Sequence, residues 1–426
     1  MKDFNSLEYK RSRGAYMAQC TVEYFVALLV TDAFLAKLLT SIGISDSLVG
    51  IISSFISLAF VIQLMSIFLV RSKVSTKNMV LFFDTISIFF FMFIYVIPFI
   101  PVSQTAKTVL IVISIIMAYV GKYLIYSIYF KWANSFVSPD KRAEYSAIKE
   151  IISLLSGMVF TMAAGYVIDK FEGIGNINGG FLFIACATLL LNICNFICIA
   201  MIKKEEEPIA EEGASLSDVV KHTLLNKGFR NIVILTVLWD CARYFTIGFL
   251  GVFKTNDLLI SVFAVQVINM VANGCRALLS VPFGRYSDKK TFAKGFELAL
   301  IIAAASFLSI VFTNKSTWYL IVVYTILYNI SVAGTNQNSF NITYSYVESK
   351  YITQAMAFKN SIGGLCGFGA SLLAGKILSF VQSNGNMLFG IQVYGQQILG
   401  GISFVLTVIA IIFLRKVVEK QKVMIQ

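Results

Sequence analysis

The sequence has little charge and almost no histidine. Only 14% of its 426 residues are charged, while 57% are hydrophobic and the mean hydropathy is +0.77. Soluble globular domains carry about 25% charged residues, so this composition excludes that class and indicates a chain that crosses a membrane many times. The single histidine, His222, and the lack of an HExxH motif or an Asp-rich pair argue against an enzyme embedded in the membrane.

Cysteine is also scarce and is not arranged for chemistry. The seven cysteines all lie in apolar runs, without metal-ligand spacing or the pattern of a secreted disulfide framework. We therefore expect them to pack in the interior, and we expect neither a metal nor a cofactor. The first apolar run is too long and too polar for a cleavable signal peptide, and no small-residue cleavage site follows it. It is predicted to be the first membrane span.

Long apolar runs recur along the whole chain. At about 20 residues for each crossing, they predict twelve transmembrane helices in an all-α polytopic membrane protein. The runs lie near 15–40, 47–70, 78–98, 108–133, 145–170, 181–202, 229–253, 258–283, 296–313, 318–341, 353–380 and 396–414.

The net charge of +12 raises the possibility of nucleic-acid binding, but the positions of the basic residues argue against it. Counted from an N-terminus inside, 26 of the 35 Lys and Arg residues fall in segments on the inner side, including Lys359. This bias predicts that both termini are cytoplasmic and that the protein lies in the cell (inner) membrane of a bacterium. The basic residues then face the lipid bilayer surface, and no nucleic-acid partner is expected.

Short repeated segments indicate that the chain is duplicated. Tyr244 and Phe245 stand 220 positions after Tyr24 and Phe25, which makes Glu23 equivalent to Arg243. Small residues recur every fourth position in the fifth and eleventh predicted helices, 210 positions apart, and such stripes let helices approach closely in lipid. The predicted helix-packing glycines are Gly157, Gly165, Gly367 and Gly375.

The duplication predicts two pseudo-symmetric six-helix bundles, as transporters commonly have. The first bundle spans 1–202 and the second spans 229–426. Between them, 203–228 is predicted to be a charged cytoplasmic linker that contains a short amphipathic helix.

Charged residues inside the apolar runs are the candidate functional residues. Each costs about 2.5–3.5 kcal/mol on insertion scales, and therefore marks a solute or ion pathway by default. We interpret Glu23 as a proton-carrying acid that faces Arg243, its counter-charge and substrate ligand. A static ion pair, or Asp240 pairing with Arg243 along its own helix, are the alternatives. The candidate pathway residues are Glu23, Asp32, Lys122, Tyr126, Asp240, Arg243, Arg276, Asn336 and Gln337.

Two further patterns have both a functional and a packing interpretation. The fourth predicted helix carries aromatic residues spaced by three, from Tyr123 to Trp132, which form either packing contacts or a wall facing the substrate. The inner end of the tenth predicted helix is polar from Thr335 to Asn341. These side chains either bind a polar solute or satisfy one another, because lipid offers no hydrogen bonds.

The loop Gly284-Arg285-Tyr286-Ser287-Asp288-Lys289-Lys290 resembles the Gly-x-x-x-Asp-Arg-x-Gly-Arg-Arg loop of the major facilitator superfamily. The two six-helix halves and the charged linker are similar to that family as well. The resemblance implies secondary transport by alternating access, with a cytoplasmic gate formed by Asp288, Arg285, Glu144 and Lys149. The matching loop of the first half, 71–77, lacks both the glycine and the acid.

The sequence therefore predicts a transporter and not an enzyme. The expected substrate is a small polar organic solute such as a sugar, a glycoside or an organic acid, moved by a monomer in symport with protons or sodium. The alternative within this fold is an exporter of drugs or metabolites. A channel or a membrane-embedded enzyme would belong to a different class.

Overall fold

The computed structural model describes residues 6–69, 75–138, 142–203, 226–347, 352–388 and 390–421. These residues are almost entirely helical, as the sequence predicts for a chain without water around its backbone. The predicted linker helix lies outside the described residues, as do 70–74 of the basic loop in the first half.

The described residues of the first half form eight helices. They are α1 (Leu7–Leu29), α2 (Asp32–Ser41), α3 (Asp46–Ser53), α4 (Phe55–Leu69), α5 (Thr76–Phe93), α6 (Gln104–Ser135), α7 (Arg142–Gly173) and α8 (Ile177–Met201). A short 3₁₀ turn at Ile97–Phe99 follows α5.

The second half forms seven more helices and a small hairpin within the ranges given above. The helices are α9 (Lys227–Tyr244), α10 (Ile247–Val252), α11 (Val262–Lys289), α12 (Phe292–Val311), α13 (Tyr319–Tyr344), α14 (Ile352–Ser383) and α15 (Gly395–Phe413). Strands β1 (Met387–Leu388) and β2 (Ile391–Gln392) pair antiparallel between α14 and α15. π-helical turns at Phe253–Asp257 and Leu414–Val418 extend α10 and α15.

Eleven stretches of the described residues are long and apolar enough to cross a membrane. The first predicted span is not among them, and the chain is divided there into α1 and α2. Asp32 begins α2 with a φ of 47°, a left-handed conformation that interrupts the helix. The hydroxyl of Tyr95 donates a hydrogen bond to the carbonyl of Leu29, so the broken end of α1 is satisfied. With this divided span included, the architecture is the twelve-helix fold that the sequence predicts.

The first helix of the second half is divided in the same manner, between α9 and α10. The break falls at Phe245 and Thr246, and the hydroxyls of Thr246 and Ser403 lie 2.5 Å apart. Each half therefore begins with an interrupted helix, and irregular backbone at this depth is tolerated only where protein groups satisfy it.

The predicted loop at 284–290 is helical up to Lys289, which is a correction to the sequence analysis. Pro282 lies inside α11 and does not end it, and only Lys290 and Thr291 separate α11 from α12. Proline is tolerated in membrane helices because neighbouring groups satisfy the freed carbonyl. The Thr291 hydroxyl accepts from the Lys294 amide at 3.1 Å and so caps α12.

The described chain divides into two compact units. The first unit comprises Met1–Ile44, Ile62–Glu212 and Ser261–Gln266, and the second comprises Ser45–Val61, Gly213–Ile260 and Val267–Gln426. Aromatic residues form the centre of each, with Tyr16, Trp132 and Phe136 in the first and Trp239 and Phe307 in the second.

One contact recurs in both units. A Cβ atom on Gly157 would lie 2.5 Å from the ring of Tyr24, and one on Gly367 would lie 2.4 Å from the ring of Tyr244. The repeated segments of the sequence made these residues equivalent, Gly157 to Gly367 and Tyr24 to Tyr244. The two remaining packing glycines also lie against other helices, Gly165 on the backbone of Phe263 and Gly375 on Ile51.

Candidate substrate and proton pathway

An ion pair lies inside the first unit. The carboxylate of Glu23, on α1, is 2.7 Å from Nζ of Lys122 on α6, and the two side chains are 20% and 22% exposed. Both residues were candidates from the sequence, but their pairing was not predicted. An ion pair in such surroundings contributes modestly to stability, because desolvation offsets much of the attraction.

Asp84, on α5, belongs to the same cluster and was missed by the sequence analysis. It is 4% exposed and accepts hydrogen bonds from Nε2 of Gln19 at 3.1 Å and Nδ2 of Asn195 at 2.7 Å. The same Gln19 nitrogen lies 3.4 Å from Oε2 of Glu23 and thus bridges the two carboxyl groups. Asp84 could have been selected from the sequence by the criterion that selected Asp240, because it is a charged residue inside the predicted apolar run 78–98.

The aromatic residues of α6 divide between the two roles that the sequence left open. Trp132 is fully buried and packs on Tyr129, whose hydroxyl donates to Oε1 of Gln19. Tyr129 therefore orients the amide that joins the two acids. Tyr126, in contrast, is 48% exposed and stacks on Tyr123 with ring centroids 5.9 Å apart.

A second charged cluster lies inside the second unit. Nη2 of Arg243 is 2.9 Å from Oδ1 of Asp240, three residues earlier on α9, which is the alternative that the sequence left open. The guanidinium also lies 4.8 Å from the ring centroid of Tyr244, a cation–π distance. Among the residues described, Nε of Arg243 is buried without a hydrogen-bond partner.

Lys359 completes this cluster and corrects its sequence assignment. It was counted among the cytoplasmic basic residues, but it is 1% exposed. Its Nζ donates to Oγ of Ser339 at 2.9 Å, to the Ser339 carbonyl at 3.3 Å and to Oγ1 of Thr343 at 3.2 Å. The polar end of α13 thus holds a buried lysine. Asp240 interacts electrostatically with both Lys359 and Arg243, so one carboxylate faces two cations.

The direct Glu23–Arg243 ion pair that the sequence suggested stays a prediction. Each of the two charges has its ion-pair partner inside its own unit. Lys122 and Asp240 supply these partners, and Asp240 is the alternative partner that the sequence offered for Arg243.

The remaining pathway candidates occupy varied positions. Asn336 and Gln337 are exposed on α13, whereas neighbouring Asn338 is buried and donates to the Gly334 carbonyl of its own helix at 2.8 Å. Arg276 is half-buried on α11 and interacts electrostatically with Tyr328.

The predicted gate residues belong to different units, Arg285 and Asp288 to the second and Lys149 to the first. Arg285 and Asp288 are exposed at the end of α11, and Asp288 lines a cavity of about 420 Å³ together with Tyr346 and Glu419. Lys149 of the first unit lies 5.4 Å from the ring centroid of Tyr16. The side chain of Glu144 lies outside the described part of the chain. The gate therefore stays a prediction.

The described residues hold no group of three or more His, Cys, Asp or Glu side chains that could bind a metal ion. Charged residues are instead arranged in hydrogen-bonded networks inside apolar helical units. Such networks in a polytopic membrane protein are typical of solute or ion transporters.

The chain belongs to the major facilitator superfamily of secondary transporters, whose family model matches residues 17–371. In sequence, no curated protein matches it.

Solved structures of transporters have the same fold. The nucleoside transporter NupG is 12% identical with a TM-score of 0.69, over 98% of this chain and 100% of that one. A D-xylose–proton symporter is 12% identical with a TM-score of 0.69, over 95% and 97% of the two chains. A bacterial homologue of the iron transporter ferroportin, in an inward-facing state, is 14% identical with a TM-score of 0.67, over 97% and 99%. Identities this low establish the fold and not the substrate.

Proposed function

We propose that this chain moves a small polar organic solute across the membrane by alternating access, coupled to the movement of protons. The solute is a sugar, a glycoside or an organic acid. The observation that carries the proposal is the Glu23–Lys122 pair joined through Gln19 to Asp84, a network of ionisable groups within apolar helices. Ionisable groups at such positions are costly and are retained for a transport function.

Within that set of solutes, the charges of the second unit favour an organic acid. Arg243 and Lys359 supply two positive charges against the one carboxylate of Asp240. A solute carboxylate would balance this surplus, and a guanidinium binds carboxylates with two parallel hydrogen bonds. The exposed 23% of the Arg243 side chain is the part available for that contact.

Solute-dependent stabilisation of the purified protein tests the proposal. A bound solute raises stability by about 2.7 kcal/mol at 100 times its dissociation constant. We expect organic acids to raise the unfolding temperature of the wild type and to lose that effect in Arg243→Gln. The matched control is Arg230→Gln, which removes an exposed arginine from the same helix, α9. Stabilisation by apolar drugs and by none of the three polar classes would instead favour an exporter.

Uptake into vesicles with an imposed pH gradient tests the coupling. We expect a stabilising solute to accumulate in wild-type vesicles only when the gradient is present. Gradient-independent uptake that does not saturate would indicate a channel.

A further inference from the structure

Asp84 is a buried acid with no cation at ion-pair distance among the described residues. Its residue is 4% exposed. Within the described ranges, no Lys, Arg or His nitrogen lies at ion-pair distance from its carboxyl group, since Lys122 pairs with Glu23 instead. An ionised carboxylate in apolar surroundings is strongly disfavoured unless a counter-charge lies beside it, and such a group takes up a proton.

The hydrogen bonds at Asp84 suit a neutral carboxyl group. Nε2 of Gln19 and Nδ2 of Asn195 both donate to one oxygen, Oδ2, at 3.1 and 2.7 Å. This places two donors on the carbonyl-type oxygen and leaves Oδ1 to carry the proton. The two amides are neutral, so they reduce the cost of a charge on Asp84 without balancing it.

The charges that face Asp84 lead to the same protonation state. Helix α1 contributes Glu23, and α6 contributes Lys122 and the hydroxyl of Tyr129. Helix α8 contributes the amide of Asn195. Glu23 lies 2.7 Å from Lys122, and the opposite charges of this ion pair balance each other. An ionised Asp84 would add an uncompensated negative charge next to Glu23, whereas a protonated Asp84 leaves the cluster neutral.

We propose that Asp84 holds a proton in this state and is the proton store of the first unit. The inference deepens the proposed function by assigning a residue to its proton coupling. When Lys122 leaves Glu23, the O–H bond on Asp84 breaks and one forms on Glu23. Lys122, which already interacts electrostatically with Asp84, then neutralises the new carboxylate. The net charge of the cluster stays the same throughout the transfer.

Infrared spectroscopy tests the proposal without any substrate. The full chain is reconstituted in lipid nanodiscs near pH 7, and spectra of Asp84→Asn and Asp240→Asn are each subtracted from the wild-type spectrum. Asp240 is the matched control, because it is also 4% exposed but pairs with Arg243 at 2.9 Å. We expect the Asp84 difference to contain the C=O stretch of a protonated carboxyl group, and the Asp240 difference to contain carboxylate bands.

Carboxylate bands in the Asp84 difference would overturn the proposal. Asparagine resembles the neutral acid in shape, so we expect the variant to fold. If it does not, Asp84→Glu keeps the carboxyl group and moves it by one methylene. If Asp84 holds the proton, the protonated-carboxyl band of Asp84→Glu is displaced from its wild-type position. A band at the wild-type position overturns the proposal. Neither readout depends on transport, so failure here is distinct from failure of the proposed function.

Discussion

Replacing Glu23 and Lys122 singly and together measures whether the ion pair of the first unit stabilises the protein. Glu23→Gln and Lys122→Met each remove one charge with little change in shape. Each single variant leaves its partner charge about one-fifth exposed and unpaired, whereas the double variant leaves no charge at this position. The losses in unfolding free energy of the two single variants, added together, should therefore exceed the loss of the double variant.

The size of the coupling follows from the geometry. At 2.7 Å and an effective dielectric constant of about 20, the attraction is about 6 kcal/mol. Desolvation of both groups offsets most of it, which leaves a coupling of about 1–3 kcal/mol. Each single substitution should then lower the free energy of unfolding by about 2–3 kcal/mol, less than the loss at a fully buried pair.

The assay is reversible unfolding in mixed detergent micelles, followed by tryptophan fluorescence. The matched control is the Lys37–Glu172 pair, which lies in the same unit at 2.5 Å, with Glu172 45% exposed. Its cycle, built from Lys37→Met and Glu172→Gln, should give a coupling of about 0–1 kcal/mol. A coupling at Glu23–Lys122 no larger than the control value would show that this ion pair does not stabilise the protein more than an exposed one.

Two further predictions concern the second unit. Gly367→Ala should lower the free energy of unfolding by about 1–3 kcal/mol, because the new Cβ would lie 2.4 Å from the ring of Tyr244. Gly369→Ala is the control on the same helix, since nothing lies within 4 Å of its Cβ position, and equal losses would contradict the packing argument. Ser339→Ala should cost about 1–3 kcal/mol in the same measurement, because Lys359 is 1% exposed and loses an acceptor at 2.9 Å. The exposed Ser383→Ala should leave stability within about 0.5 kcal/mol of the wild type, and a similar small effect at Ser339 would show that Lys359 does not need it.

Much of the fold could be predicted because membrane helices are recognisable from length and apolar composition. The stripes of small residues also identified real contacts, since glycines such as Gly157 and Gly367 sit where no Cβ would fit. The end of α11 was placed too early, near 283, because the apolar run that contains Pro282 ends there. In lipid, where helices are the default, proline is a weaker stop signal than in water.

The sequence predicted many residues of the candidate site, but it did not predict which of them form ion pairs. Charges inside apolar runs selected Glu23, Lys122, Asp240 and Arg243, but sequence spacing does not say which of them meet across helices. Lys359 was counted among the basic residues on the inner side, although it lies within the predicted apolar run 353–380. Only the packing of α13 against α14 shows that Ser339 and Thr343 hold its ammonium group in the interior.

The most direct test of the account is solute accumulation by Glu23→Gln in proteoliposomes with an imposed pH gradient. The control is Glu172→Gln, which removes an exposed acid of the same unit. We expect proton-driven accumulation to be lost in Glu23→Gln and retained in the control, while exchange of solute across the membrane persists in both. Accumulation that survives intact in Glu23→Gln would contradict a proton-coupling role for the buried charges of the first unit.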